Sequence, residues 1–297
     1  RLAMRDSRVC AITAAMTGGT GLERFAKRFP DRFFDVGIAE GCAASMAAGM
    51  AKQGAIPVFA VYSTFLQRAY DMLLHDAAID NLHVVFCVDR AGLVGDDGET
   101  HYGVFDAAYL DTIPNMTVLA PASFAELEVM LERALFHLTG PVVVRYPRGG
   151  EGSYLGTAGD GPAAILRQGS DITLVGYGTE INEILQAADH LAEQGVQAEV
   201  VKLNQLSPLG ADLVELSVRK TGVMLVAEEQ AAQGCVGQRL AADLELCGLS
   251  ARIVLINCGR GFVPHGATSL LKRDLLLDGT GIARKALEVL SHDKTAS

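Results

Sequence analysis

Ile56-Pro-Val-Phe-Ala-Val-Tyr-Ser-Thr-Phe-Leu-Gln-Arg-Ala-Tyr-Asp71 and His83-Val-Val-Phe-Cys-Val-Asp-Arg-Ala-Gly-Leu-Val-Gly-Asp-Asp-Gly-Glu-Thr-His101 share one design. Each starts as an apolar, β-rich run, Ile56–Val61 and His83–Val88, and empties into a polar segment. Neither run alternates apolar with polar residues, the pattern of a parallel strand covered on both faces. In open sheets of that kind, ligands sit outside the carboxyl ends of the strands. The two ends here carry Arg68, Arg90, Asp97 and His101, with Glu40 upstream, which points to a site for an anionic substrate.

Working outward, further strands are predicted at Val9–Thr13, Phe33–Val36, Met116–Ala120 and Val142–Tyr146. Amphipathic helical patterns lie between them at Gly21–Phe29, Glu40–Gln53, Phe65–Ile79 and Phe124–His137. Such alternation implies right-handed βαβ units. The stretch Gly149–Pro162 is glycine-rich and aperiodic and reads as a linker. A second series follows: strands Ile172–Tyr177, Ala198–Leu203, Gly222–Ala227 and Ile253–Ile256, and helices Glu180–Gln194, Ala211–Lys220, Val236–Cys247 and Gly281–Leu290. The predicted fold class is therefore α/β, with two doubly wound sheets and helices on both faces. Residues 1–150 form the first domain, 151–166 the linker and 167–297 the second domain. The opening Arg1-Leu-Ala-Met-Arg5 reads as the tail of a helix already under way, so a natural domain start is not expected there.

Hydrophobic residues make up 49% of the 297, enough for sizeable cores, and the net charge of −10 argues against a general nucleic-acid surface. Basic residues near a site are then local devices for binding anions. The six cysteines form no C-x-x-C pair and no zinc-spaced cluster, so no metal ligands are predicted within the chain and a reducing cytoplasm is the expected location. No apolar run has transmembrane length, so no membrane partner is expected. Neither a G-x-x-x-x-G-K-[ST] loop nor a G-x-S-x-G elbow occurs, and Gly176-Tyr-Gly178 lacks the third glycine of a dinucleotide site.

Glu40 sits at a predicted strand-to-helix junction among small and apolar residues. Desolvation there raises a carboxyl pKa and suits it to proton transfer. The competing reading is an acid that complements the helix dipole. Phe65, at a predicted helix start, is either a ring that stacks on a planar ligand or a core residue. Arg68 and Arg90 lie past two different strand ends, and Arg145 and Arg148 close the last strand of the first domain; any one alone reads as a surface ion pair, whereas several on one rim suit a phosphate or carboxylate. His101 lies on a Gly/Asp-rich loop, a fair place for an acid–base group, while His75 and His83 read as structural. The Tyr62 hydroxyl either donates to an anion or anchors the turn.

Phe34-Asp-Val-Gly-Ile-Ala-Glu40, Val61–Asp71, Asp89–Gly95, Thr100-His-Tyr-Gly103, Val144-Arg-Tyr-Pro-Arg-Gly149, Glu228-Glu229 and Phe262-Val-Pro-His-Gly266 together resemble the 1-deoxy-D-xylulose-5-phosphate synthases, over essentially the whole chain. The resemblance implies a transketolase pyrimidine-binding domain over 1–150 and a transketolase C-terminal domain after it. It implies thiamine diphosphate with Mg²⁺, and condensation of pyruvate with glyceraldehyde 3-phosphate to a precursor of isoprenoids, thiamine and pyridoxal. By the resemblance, Glu40 bonds the aminopyrimidine of the cofactor and Phe65 stacks on that ring. Tyr62, Arg90 and Arg148 hold the aldehyde's phosphate. Arg68, Asp97 and His101 lie near the reacting carbons. A homodimer is implied as well.

Two departures accompany the likeness. Cys42 stands where the family usually has a His, two residues after its catalytic Glu, and no Gly-Asp-Gly…Asn motif for Mg²⁺ and the diphosphate is found. The partner expected from this is a diphosphate-binding N-terminal domain or subunit, and the chain alone is expected to be inactive. The alternatives are a split transketolase, a β-type subunit of a 2-oxo acid dehydrogenase, and a non-catalytic assembly module that kept the fold.

Overall fold

The computed structural model describes residues 1–157, 159 and 161–293; residues 158 and 160 of the predicted linker and 294–297 of the predicted second domain lie outside the described residues. The described residues contain twelve strands: β1 Val9–Thr13, β2 Phe33–Asp35, β3 Ile56–Tyr62, β4 Val85–Asp89, β5 Thr117–Leu119, β6 Val142–Arg145, β7 Ala163–Arg167, β8 Ile172–Tyr177, β9 Ala198–Leu203, β10 Gln205–Ser207, β11 Val223–Ala227 and β12 Arg252–Ile256. They make a seven-stranded sheet, β10-β5-β6-β4-β3-β1-β2, and a five-stranded sheet, β12-β11-β8-β9-β7. All pairings are parallel except β10 on β5 and β7 on β9. The near-continuous apolar runs have their expected cause. Every residue of β1, β4, β8 and β11 is buried, because helices cover both faces.

Three local features depart from the reading of the sequence. Strand β7 starts at Ala163, inside the segment taken as linker. Strand β10 lies in the second half of the chain but closes the edge of the first sheet. The helix predicted over Phe65–Ile79 is broken into Ser63–Leu66, a tight turn Gln67–Ala69, Tyr70–Met72 and a wide π-type stretch Leu73–Ala78. Irregular winding of this kind is frequent beside functional sites.

In the first sheet the chain goes from β1 out to β2 at the edge, then back across β1 to β3 and β4. The direction of winding thus reverses between β1 and β3, and a crevice opens outside their carboxyl ends. Helix Glu40–Lys52 packs beside it through buried Ala43, Ala44, Ala47 and Ala48. These small side chains allow close approach to the sheet, so the first helical residue, Glu40, is carried inward.

Buried polar groups join the two halves. Lys202 Nζ on β9 lies 2.9 Å from Glu126 Oε2 in helix Phe124–Phe136, with neither side chain exposed. The Tyr154 hydroxyl and the Ala122 amide also donate to Glu126, at 2.8 and 2.7 Å. Arg145 at the end of β6 pairs through Nε and Nη2 with Asp106 at 3.0 and 3.1 Å. Gln230 of the second half donates to the same Asp106 at 3.0 Å.

Candidate active site

Glu40 is 4% exposed and accepts a 2.7 Å hydrogen bond from Arg68 Nη1. The surroundings are therefore less uniformly apolar than the neighbouring sequence implied, since the broken helix after β3 returns an arginine to the carboxylate. That bond falls on Oε1, and none of the described residues hydrogen-bonds Oε2. The Arg68 guanidinium lies 4.8 Å over the Phe65 ring, and its side chain is 54% exposed.

Phe65 starts an aromatic platform. Its ring stacks on Tyr62 with centroids 5.9 Å apart, and His101 meets it edge-on at 5.3 Å. On the far side, the Arg90 guanidinium sits 3.6 Å over Tyr62. Arg90 Nε lies 3.2 Å from Asp97 Oδ2, and Arg148 Nη1 lies 2.6 Å from Asp97 Oδ1. Asp97 thus bridges two arginines from different strand ends. A further carboxylate, Asp89, lies 3.2 Å from Arg90. Arg90 also donates to the Gly19 carbonyl at 3.1 Å. Its backbone is left-handed, with φ of 63°, which costs of order 1–3 kcal/mol in a non-glycine residue and is tolerated where surrounding structure holds it. Gly19 has a steric reason to be glycine: a Cβ there would fall 1.6 Å from the Tyr62 hydroxyl oxygen.

The eight residues given a role by the resemblance thus fall into one run of contacts: Glu40, Arg68, Phe65, Tyr62 and His101, Arg90, Asp97, Arg148. Arg145 does not join them. It is 6% exposed and turns inward to Asp106, so the rim holds fewer arginines than the spacing suggested. His75 is exposed and pairs with Asp71, and His83 bonds the Leu135 and Gly140 carbonyls, in keeping with structural roles. Cys42 is exposed. Burial pushes the Tyr62 hydroxyl and the Asp89 carboxyl up; Arg90 opposes both shifts. Asp89 was legible as an acid beside Arg90 at a strand end, yet the sequence reading gave it no role.

A second polar cluster, also missed, lies where the two halves meet. Lys272 Nζ is 2.7 Å from Glu180, 2.9 Å from Glu229 and 3.7 Å from Glu183. Beside it, a cleft of about 600 Å³ is lined by Arg148, Leu93, Asn182 and Lys272 among others. Burial pushes the Glu180 carboxyl up to about 8; Lys272 opposes the shift and Glu229 adds to it. Burial acts on Glu229 in the same sense, but Lys272 and the Leu93 amide hold it below the ordinary carboxylate range. Glu180 therefore holds a proton more tightly in the fold than in the unfolded chain. Its stabilising contribution is complete below the unfolded value of about 4.3 and is lost as pH rises through about 8. Glu180→Gln is expected to flatten the decline in unfolding free energy between about pH 5 and about pH 8. Urea melts across that window check this; an unaltered slope would refute the assignment.

Residues 1–150 match the family model for the transketolase pyrimidine-binding domain, and residues 161–282 match the transketolase C-terminal domain.

The chain belongs to the transketolase family.

Among curated relatives, this transketolase-family chain is 44% identical over 300 residues to the 1-deoxy-D-xylulose-5-phosphate synthase of Heliobacterium modesticaldum, covering 99% of the chain and 46% of that protein. It is 45% identical over 291 residues to 1-deoxy-D-xylulose-5-phosphate synthase 1 of Geobacter sulfurreducens, covering 95% and 45%. The chain spans about half the length of the curated relatives it matches. Among solved structures, a split-gene transketolase described as an inactive beta4 tetramer superposes with a TM-score of 0.86 at 27% identity, covering 98% of this chain and 94% of that one. A Pichia stipitis transketolase in complex with sedoheptulose 7-phosphate superposes with a TM-score of 0.80, covering 99% and 44%; at 17% identity the likeness concerns the fold. No helix among the described residues is long and apolar enough to cross a membrane, and they contain no group of three or more His, Cys, Asp or Glu able to hold a metal ion.

Proposed function

We propose that this chain is the pyrimidine-binding and C-terminal part of a thiamine-diphosphate-dependent 1-deoxy-D-xylulose-5-phosphate synthase, a transferase joining pyruvate to glyceraldehyde 3-phosphate with loss of CO2. The observation that carries the reading is the Asp97 bridge between Arg90 and Arg148, set one aromatic platform away from buried Glu40. A phosphate sink and a proton-handling carboxyl thus stand at opposite ends of one site, as a phosphorylated aldehyde and a ring cofactor require.

The residues fit the aminopyrimidine part of the cofactor: a buried carboxylate with one oxygen engaged, linked through Arg68 to the Phe65 ring. Thiamine diphosphate supplies the electron sink that lets pyruvate lose CO2 and attack an aldehyde. Glu40 would hold and return a proton at a ring nitrogen, Phe65 would bear the ring's face, and Arg68 would orient Glu40. Asp97 holds the two guanidinium groups close together, and a phosphate would bind the N–H donors that Asp97 leaves free, at a lower ordering cost. His101, at the platform edge, would exchange a proton with the aldehyde oxygen. Mg²⁺ and the diphosphate would be held by a separate domain or subunit, in line with the share of its relatives that the chain spans. A cytoplasmic homodimer completes the reading; six free cysteines support the location.

Pyruvate-dependent CO2 release that requires glyceraldehyde 3-phosphate, assayed with the diphosphate-binding partner present, tests the proposal; release indifferent to the aldehyde would overturn it. Arg148→Ala is expected to raise KM for glyceraldehyde 3-phosphate by roughly 10- to 100-fold, the worth of a charge-assisted bond. KM for pyruvate should stay unchanged; equal rises for both substrates would remove Arg148 from phosphate binding. A second reading, a split-transketolase subunit, is favoured by the near-equal span shared with the split-gene chain. Ketol transfer from a ketose phosphate in place of pyruvate-dependent CO2 release would support it.

A further inference from the structure

The loop between β4 and the helix Asp106–Asp111 is closed by a narrow neck. The Gly92 amide donates to the Gly103 carbonyl and the Gly103 amide to the Gly92 carbonyl, both at 2.8 Å. Residues 93–102 bulge beyond that neck and carry both Asp97 and His101. Among the described residues, a single hydrogen bond ties the loop to the broken helix after β3, from Thr64 Oγ1 to the Thr100 carbonyl at 3.0 Å.

The other half of the chain grips the neck from outside. Glu229 Oε2 accepts the Leu93 amide at 2.7 Å. Gln230 Nε2 donates to the Gly103 carbonyl at 3.3 Å, and the Ala231 amide to the Val104 carbonyl at 2.8 Å. The Tyr102 hydroxyl donates to the Pro264 carbonyl at 3.0 Å. Glu229 is itself fixed through Oε1 by Lys272 at 2.9 Å. Gly92 is shaped to this contact: its φ is 82°, and a Cβ there would lie 2.4 Å from Glu229 Oε2.

We infer that Glu229, Gln230 and Ala231 form a positioning clamp through which the C-terminal domain sets the orientation of Asp97 and His101 toward the phosphorylated aldehyde. Three successive residues engage both sides of one neck, so a shift of that segment moves the loop as a unit. Asp97 aims Arg90 and Arg148, so the clamp reaches acceptor binding without touching substrate. Misplacing reacting groups by an ångström is enough for large losses. The clamp deepens the proposed activity and depends on it for its kinetic consequence, not for its structural one.

Glu229→Ala and the shape-conserving Gln230→Met are the test, in the complete enzyme. Each is expected to raise KM for glyceraldehyde 3-phosphate by on the order of tenfold. KM for unphosphorylated glyceraldehyde and for pyruvate should barely move. Hydrogen exchange at Leu93 and Gly103 should quicken on the order of tenfold or more, with Phe86 to Val88 of β4 unaltered. Faster exchange with an unchanged ratio of the two aldehyde KM values would overturn the clamp, as would a raised ratio with neck protection intact. Should Glu229→Ala fail to fold, Gln230→Met and the wild-type exchange of Leu93 decide; rapid exchange of Leu93 in the wild type would refute the clamp outright. Absence of pyruvate-dependent turnover in the wild type would refute the proposed function, and hydrogen exchange alone would then decide the clamp.

Discussion

Glu40→Gln is expected to lower turnover by about a hundredfold to ten-thousandfold, the usual worth of a positioned proton-transfer group. Gln has the shape of Glu and still offers an oxygen to Arg68, 2.7 Å away in the native pair. What it lacks is the ability to gain and lose a proton. Arg68 is half exposed and is solvated when its partner becomes neutral, so the fold should survive the change. A kcat within a fewfold of the wild type, measured with the diphosphate-binding partner present, would remove Glu40 from the chemistry. A fall accompanied by collapse of the melting transition would assign it to stability instead.

Glu126→Leu is expected to destabilise the fold by about 3–5 kcal/mol, a large part of a typical domain's stability. Its partner Lys202 is wholly buried, and Asn204 is its other close polar neighbour. Burial already pushes the Lys202 ammonium pKa down, and Glu126 opposes that shift. Without the carboxylate, the lysine is charged with no counterion or gives up its proton; the Tyr154 hydroxyl and Ala122 amide lose an acceptor as well. Urea unfolding measures the loss, and a change under about 1 kcal/mol would refute the account. Glu126→Leu combined with Lys202→Leu should recover much of it, since a well-packed apolar pair replaces buried charges at little cost.

The apolar runs at β3 and β4 announced parallel strands because a strand covered on both faces has no polar side to show. Their polar sequels pointed to the candidate site, since Tyr62 ends one strand with Phe65 and Arg68 close behind it, and Arg90 follows the other. Local sequence could not foretell Arg145. At a strand end it reads like Arg148, yet Asp106, 39 residues earlier in the chain, draws it inward. Nor could it foretell β10, whose three residues gain a sheet only because Thr117–Leu119 presents an open edge.

Periodicity and composition were enough to indicate two helix-covered, mainly parallel sheets and the strand ends that carry the candidate site. Both follow from neighbours along the chain. The pairing of Glu40 with Arg68, the Asp97 bridge, the buried Glu126–Lys202 pair and the grip of Glu229 on Leu93 join residues 28, 7 and 51, 76 and 136 positions apart. Such contacts exist only after the elements have packed together, because a charge or a backbone amide finds its partner when folding removes the water that would otherwise satisfy it.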